Sequence, residues 1–441
     1  MDVLETSPNA YHSAFAWNAG KKAYLVAVDN YEAEDIDIFD ITDPRRPVLI
    51  RETGAEDWPD EVWDNLAKGD EVFHHDMWVK KVRGEWQMLV SYWDLGYVLL
   101  NVDDPANPVY KGKTQWDATD PLTGFTPPEG NAHHATWSKN NNFILASDED
   151  FAPYRTKFNI DTGPNAGEYL AEEFGWTPQI GQREGKQLSG TTVYGGRGCP
   201  SNEEYGEQPP IPHASTIDAP EGTLKIAVLL RGLCFFSEKV ESAQNAGYDA
   251  VVVANHHAGS GDGALPDALL CGSKAHDFTV TIPGVCIGHR AFHLLFGQEA
   301  TYEGDDSPPI GTRGPTVSAS AIFDGWGYIH LFDAKTLQRI DSHAVTEALD
   351  ERFANVFPLS VHENKTDPRR GKNLSYSSYY QAGARVLKFG RGGLQERGHF
   401  IDKGGNDFWG VYPVKRGKKR PLLLFSDRDF GLYILKYTGP E

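Results

Sequence analysis

Four histidines of this chain share one spacing. His12 stands three residues before Phe15, His75 three before Trp78, His134 three before Trp137 and His362 three before Lys365, while Asn406 holds the same place before Trp409. Each group opens a short β-rich run. If those runs are copies of one unit, the histidines are related by the symmetry of the assembly and meet near its axis. Neutral imidazoles converging on a point make a site for a transition metal such as iron, copper or zinc. Carboxylates at the ends of the following runs are placed to support them: Asp94, Asp148, Glu149, Asp150, Asp427 and Asp429, with Tyr379, Tyr380 and Gln381 in one unit. A ligand histidine needs a partner on its other ring nitrogen. The expected set is therefore His12, His75, His134 and His362 as metal ligands, with Asp148, Glu149 and Asp429 as supporting groups or general base. The doublets His74-His75 and His133-His134 leave open which member points inward. A second reading needs no ion: repeated units also use His and Asp to hydrogen-bond one unit to the next.

The elements that must position these residues follow from the repeats. IDIFDITDPRRPV at 36–48 and YVLLNVDDPANPV at 97–109 both run from an apolar strand into Asp-Pro-x-x-Pro-Val. Weaker copies are YIHLFDAKTLQRI at 328–340, ARVLKFGRGGLQERG at 384–398 and LYILKYTG at 432–439. Another short β-rich run precedes each, as in WQMLVSYWD or PLLLFSD. Four short strands per unit predict a mainly β fold, a β-propeller of five blades. The last unit has three strands, and VLETSP near the start of the chain is a natural fourth that would cover the exposed edge. The third unit is interrupted. Residues 151–326 are too many for a loop and read as an insertion between two propeller parts, 1–150 and 327–441. Its core, about 186–318, has its own pattern. LKIAVLLRG is a buried strand, FFSEKVESAQNAG an amphipathic helix closed by Gly247, and YDAVVVANH a second buried strand. That order implies a right-handed parallel crossover.

Composition narrows the function. Lys+Arg 42 against Asp+Glu 62 leaves a net charge of −20, which repels phosphate backbones and anionic lipid and disfavours nucleic-acid and membrane partners. No apolar run approaches the roughly 18 residues of a membrane span. Cys199, Cys234, Cys271 and Cys286 are the only cysteines and all lie in the insertion without a CxxC spacing. This favours two local disulfides, hence an oxidising compartment, over a zinc ribbon. The first residues carry no signal peptide, so a secreted origin implies a leader already removed. Other features read as scaffold: the basic run at 415–420 and GRGGLQERG as hairpin turns, 57–70 as a short acidic helix, His256-His257 with Asp262 as a solvated loop, and Trp58, Trp63, Trp93 and Trp326 mainly as core.

The insertion resembles a protease-associated (PA) domain. The residues that carry the likeness are Lys225-Ile226-Ala227-Val228, Arg231-Gly232-x-Cys234-x-Phe236, Glu238-Lys239-Val240, Ala243-Gln244-x-Ala246-Gly247 and Ile282-Pro283. The resemblance implies pairing of Cys199 with Cys234 and of Cys271 with Cys286, and a role in access or peptide binding beside a catalytic unit. No HExxH or GxSxG accompanies it, so a protease is not inferred. The repeats are similar to the LVIVD-repeat propeller family. The loop that carries the insertion shares a face with the histidines, so the PA domain is expected over the histidine mouth. Together these expectations describe a secreted metal-dependent oxidoreductase or hydrolase acting on a small-molecule or peptide substrate. The alternative is a non-catalytic extracellular module binding protein or polysaccharide. The residues set no oligomeric state.

Overall fold

The computed structural model describes residues 11–29, 35–63, 72–115, 130–150, 153–255, 271–272, 274–298, 307–354 and 358–441. The expected closing strand at 3–8, and His256, His257 and Asp262, lie outside them. Two compact units divide the chain: Met1–Pro153 with Asp324–Glu441, and Tyr154–Phe323.

The first unit is a five-bladed propeller-like arrangement. Blade one is β1 (Ala14–Ala19), β2 (Lys22–Val28), β3 (Ile36–Asp40) and β4 (Val48–Thr53). Blade two is β5 (Asp76–Val82), β6 (Glu85–Ser91), β7 (Tyr97–Asn101) and β8 (Val109–Lys113). Blade three begins with β9 (Ala132–Trp137) and β10 (Phe143–Asp148). The second unit follows: β11 (Tyr154–Ile160), β12 (Gly167–Glu173), β13 (Gln187–Tyr194), β14 (Leu224–Leu230), α1 (Phe236–Asn245), β15 (Ala250–Ala254), β16 (Gly284–Ile287), α2 (His289–Leu295) and β17 (Arg313–Phe323). Blade three then resumes with β18 (Ile329–Asp333) and β19 (Arg339–His343). Blade four is β20 (Asn364–Thr366), β21 (Leu374–Tyr379), β22 (Gly383–Gly390) and β23 (Gly393–Phe400). Blade five is β24 (Phe408–Arg416), β25 (Lys419–Asp427) and β26 (Gly431–Leu435).

The middle strands of blades two and three read as nearly continuous apolar runs because both faces of these blades are covered, whereas blade five leaves Tyr412, Leu432 and Ile434 exposed. In blade two, Met88, Val90, Val98 and Leu100 pack with Val26, Val28, Ile36 and Ile38 of blade one. The intervening Leu89, Tyr97 and Leu99 turn the other way, onto Ala135, Trp137, Ile144 and Phe332 of blade three. Alternation along a strand thus serves two interfaces at once. The first strand of each blade is innermost: β1 packs on β5, β5 on β9, β9 on β20 and β20 on β24. Residues at the starts of these strands therefore gather near the axis. Trp58 and Trp326 are core, as expected. The acidic segment forms 3-10 turns at Ala55–Asp57 and Asp60–Trp63, its remainder lying outside the described residues. The 390–398 segment holds the hairpin turn between β22 and β23 and continues into β23, and 415–420 spans the hairpin turn between β24 and β25.

The second unit closes β11-β12-β16-β15-β14-β13-β17 into a barrel. β14 and β15 pair in parallel, Ile226 beside Ala250, with α1 as the crossover. The helix starts where Glu238 accepts the Phe235 backbone N–H at 3.0 Å and ends at Gly247 with φ 83°, which suits a residue without Cβ. β11 and β17 pair antiparallel and set Tyr154 beside Phe323, so the unit enters and leaves at one place. Cys199 is bonded to Cys234 and Cys271 to Cys286. Among the described residues no helix is long and apolar enough to cross a membrane.

Candidate metal centre

The imidazoles meet. Ring centroids of His12 and His75 lie 4.5 Å apart, His75 and His133 4.2 Å, and His133 and His362 4.2 Å. The four come from the starts of the first strands of blades one to four, and three of them are buried while His12 is exposed. Their backbones are set alike. His75 N–H donates to Ser91 O and His362 N–H to Ser378 O, both at 2.9 Å, tying each inner-strand start to a serine near the end of the second strand.

Blade three departs from the expected register. β9 pairs with β10 as His134↔Ser147 and then Ala132↔Asp148, a β-bulge that gives His133 no ladder partner. Aligned on the serines Ser91 and Ser147, residue Thr136, opposite Leu145, is the counterpart of Trp78, opposite Leu89. The aromatic spacing that pointed to Trp137 was one residue out, and in a strand one residue reverses the face. His133 therefore faces the axis where His134 was expected. His134 turns into the seam between blades: Nδ1 lies 2.5 Å from Asp76 Oδ2 and Nε2 3.1 Å from Asn364 O, with Lys365 Nζ at 3.0 Å. In blade two the inward member is His75, while the His74 backbone N–H donates to Asp35.

Of the expected carboxylates, Glu149 reaches the row. Its Oε2 lies 3.0 Å from His133 Nε2, its Oε1 lies 3.8 Å from His362 Nε2, and the same oxygen accepts the Tyr380 hydroxyl. Asp148 faces a different network, 2.6 Å from His330 Nε2 and accepting Tyr97 OH at 3.2 Å. Asp429 is exposed on the turn after β25, where its N–H donates to Asp427 Oδ1 at 3.0 Å. Asn406 is spent within the scaffold, donating to Tyr380 O at 2.7 Å, and the Trp409 ring meets His362 instead.

Ligand atoms of His75, His133 and Glu149 all lie within 4.8 Å of one another. Two atoms each bound at about 2.1 Å to one ion sit roughly 3–3.5 Å apart, so the group closes on an ion by small side-chain shifts. The electrostatics suit a cation. Burial, and then His133 and His12, push the His75 imidazole down to about 2, so it presents a lone pair. Burial, followed by His133, His134 and His75, likewise lowers His362 well below the ordinary value. Burial works against a charge on His133 too, but the Glu149 carboxylate outweighs it and raises that imidazole. His133 Nδ1 lies 3.0 Å from the His362 carbonyl, which holds the ring with Nε2 toward Glu149. Among the described residues, His75 Nδ1 and His362 Nδ1 are buried with no hydrogen-bond partner, a costly state for a donor or acceptor. Two imidazoles and one carboxylate suit iron(II), zinc or copper, whereas calcium and magnesium take oxygen ligands.

A second tier adjoins the imidazoles. Trp93, Glu149 and Tyr380 each stand two residues after a serine at or next to the end of a second strand, in the runs SYWD, SDED and SYYQ. Trp93 pairs with Ala132 and Tyr380 with Phe408, each bridging to the next blade's inner strand. Both have positive φ, 41° and 34°, a conformation that costs a bulky residue about 1–3 kcal/mol. Aligning these serines would have revealed the tier; aligning the aromatics of the inner strands did not.

Residues 188–295 match the PA domain family. None of the curated proteins compared with this chain matches it. Among solved structures it is similar to BSAP, a zinc aminopeptidase from Bacillus subtilis, at 14% identity and a TM-score of 0.25, over 42% of this chain and 35% of that one. It is also similar to an aminopeptidase from Aneurinibacillus sp. strain AM-1, at 17% identity and a TM-score of 0.23, over 50% and 45% of the two chains. The chain thus spans less than half the length of either relative.

Proposed function

We propose that the propeller holds a transition-metal ion at its axis and acts as a metal-dependent enzyme, an oxidoreductase if the ion is iron or copper and a hydrolase if it is zinc. The observation that carries the reading is the buried group His75, His133 and Glu149, with ligand atoms within 4.8 Å and the far nitrogen of His133 already engaged by a carbonyl. His362 and His12 extend the row on either side. An ion bound there would supply Lewis acidity, or a redox couple in the case of iron or copper. The chain's own part is to keep His75 and His362 unprotonated by burial. The Tyr380 hydroxyl, in turn, fixes one Glu149 oxygen while the other faces His133.

A role for the PA unit as a regulator of access belongs to the same proposal, supported by the family match over residues 188–295. Secretion is part of the same proposal, supported by two disulfides. Thiol titration of freshly isolated protein checks it, and four free thiols would refute secretion. Elemental analysis of protein purified without a polyhistidine tag tests the metal. About one equivalent of a single transition metal, lost in His133→Ala, is the expected result; a metal-free wild type that binds none on titration refutes the reading.

A further inference from the structure

Aromatic rings that serve as no ligand frame the row of imidazoles, and the inference drawn from them rests on the metal reading above. At one end Phe73 stacks on Trp93 with centroids 4.8 Å apart and 26° between planes, and Trp93 lies 5.4 Å from the His75 ring. At the other end Trp409 lies 4.8 Å from His362, and Tyr380 meets the same ring edge-on at 5.5 Å. Phe73 and Trp93 are half-buried, and Trp409 is 48% exposed. Large apolar rings are thus left open to water beside a buried polar cluster.

Packing does not account for the choice of these side chains. The bridge to the next blade explains why the backbone bends at Trp93, but Gly or Asn would take that φ without strain. Trp409 stands in a bulge, between the pairs Phe408↔Asp427 and Gly410↔Ser426, so the ladder does not require its side chain either. Apolar walls around a few convergent polar groups are the usual make-up of a small-molecule site, and flat rings prefer flat partners at offset or tilted contact.

We propose that this mouth takes a planar aromatic small molecule, its ring against Trp409 or the Phe73–Trp93 pair and its polar substituent at the imidazole row. A ligand-observed NMR titration of the full chain with phenol and with cyclohexanol, similar in size but without a π face, tests it. Phenol is expected to bind at least about tenfold more tightly, a difference of about 1.4 kcal/mol. Trp409→Ala is expected to weaken phenol about tenfold while leaving bound zinc unchanged, since Trp409 offers no ligand atom. Trp93→Gly relieves the backbone and is expected to weaken phenol with no loss of thermal stability. Equal affinity for the two probes, binding of neither, or unchanged phenol binding in both variants overturns the proposal. Iron, copper and zinc content of the same samples separates the two readings. Phenol selectivity in a chain that takes none of these metals keeps the aromatic site and removes the metal; a bound metal without phenol selectivity keeps the metal and removes the aromatic site.

Discussion

At the scale of single side chains, His133 and His134 divide two tasks between neighbouring residues. His133 is held by the His362 carbonyl with its other nitrogen toward Glu149. His134 balances Asp76, whose carboxyl would be raised by burial but is kept well below the usual range by that imidazole and by Lys365. His133→Ala should abolish metal binding. His134→Ala should retain the metal and lower stability by about 1–3 kcal/mol, the cost of leaving a partly buried polar group unmatched. Metal content and urea melts of the two variants distinguish the roles, and loss of metal in both would show that the seam and the centre act as one. Glu173 in β12 offers a pH test away from the centre. Burial raises its carboxyl to about 7, against the opposing Ile180 N–H. The folded state therefore favours the protonated form. That stability is complete below about pH 4.5, declines as pH rises toward 7 and is level above. Thermal melts should follow that course in the wild type and lose the slope in Glu173→Gln.

Elements show why part of this arrangement could be read in advance. The Asp-Pro repeats mark blades one and two because each follows a buried third strand, Ile36–Asp40 and Tyr97–Asn101, and strand–helix–strand in the insertion follows from two buried runs about a helix closed by Gly247. The inward histidine of blade three was not readable in the same way, because the aromatic there, Trp137, stands one place beyond Thr136, the counterpart of Trp78: His133 and His134 are one residue apart and face opposite ways. Asp148 and Asp429 were chosen as carboxylates near strand ends, yet Asp148 meets His330 and Asp429 lies on an exposed turn, while the residue two beyond the serine, Glu149, faces the row. The blade three to four seam allows a further prediction. A Cβ on Gly327 would lie 2.3 Å from the Asp148 carbonyl oxygen and 2.8 Å from Ser360 Oγ, and the backbone atom cannot yield easily. Gly327→Ala should destabilise the propeller by about 1–3 kcal/mol, read as a lower urea midpoint, while Gly371→Ala at an open turn with φ 79° should cost less. In the blade interior, Leu89→Ala should cost about 2–5 kcal/mol by leaving a cavity between blades two and three.

The whole molecule consists of two units with separate means of support. Cross-links occur only in the PA unit, where Cys199–Cys234 closes a separation of 35 residues and Cys271–Cys286 one of 15. Each restricts the unfolded chain by about 2–4 kcal/mol. Reduction should lower one calorimetric transition and leave the propeller's in place; a common shift of both would mean that the units unfold together. The meeting of Tyr154 and Phe323 bears on how the chain reaches this state. Phe143 of β10 must find Asp333 of β18 across the whole insertion, a search whose entropy grows with the length of slack chain between them. Once the barrel has formed, its two ends emerge side by side and that slack becomes a short clasp. On the ribosome, β9 and β10 emerge before the insertion and β18 and β19 after it, so blade three can be completed only once the whole insertion has been synthesised.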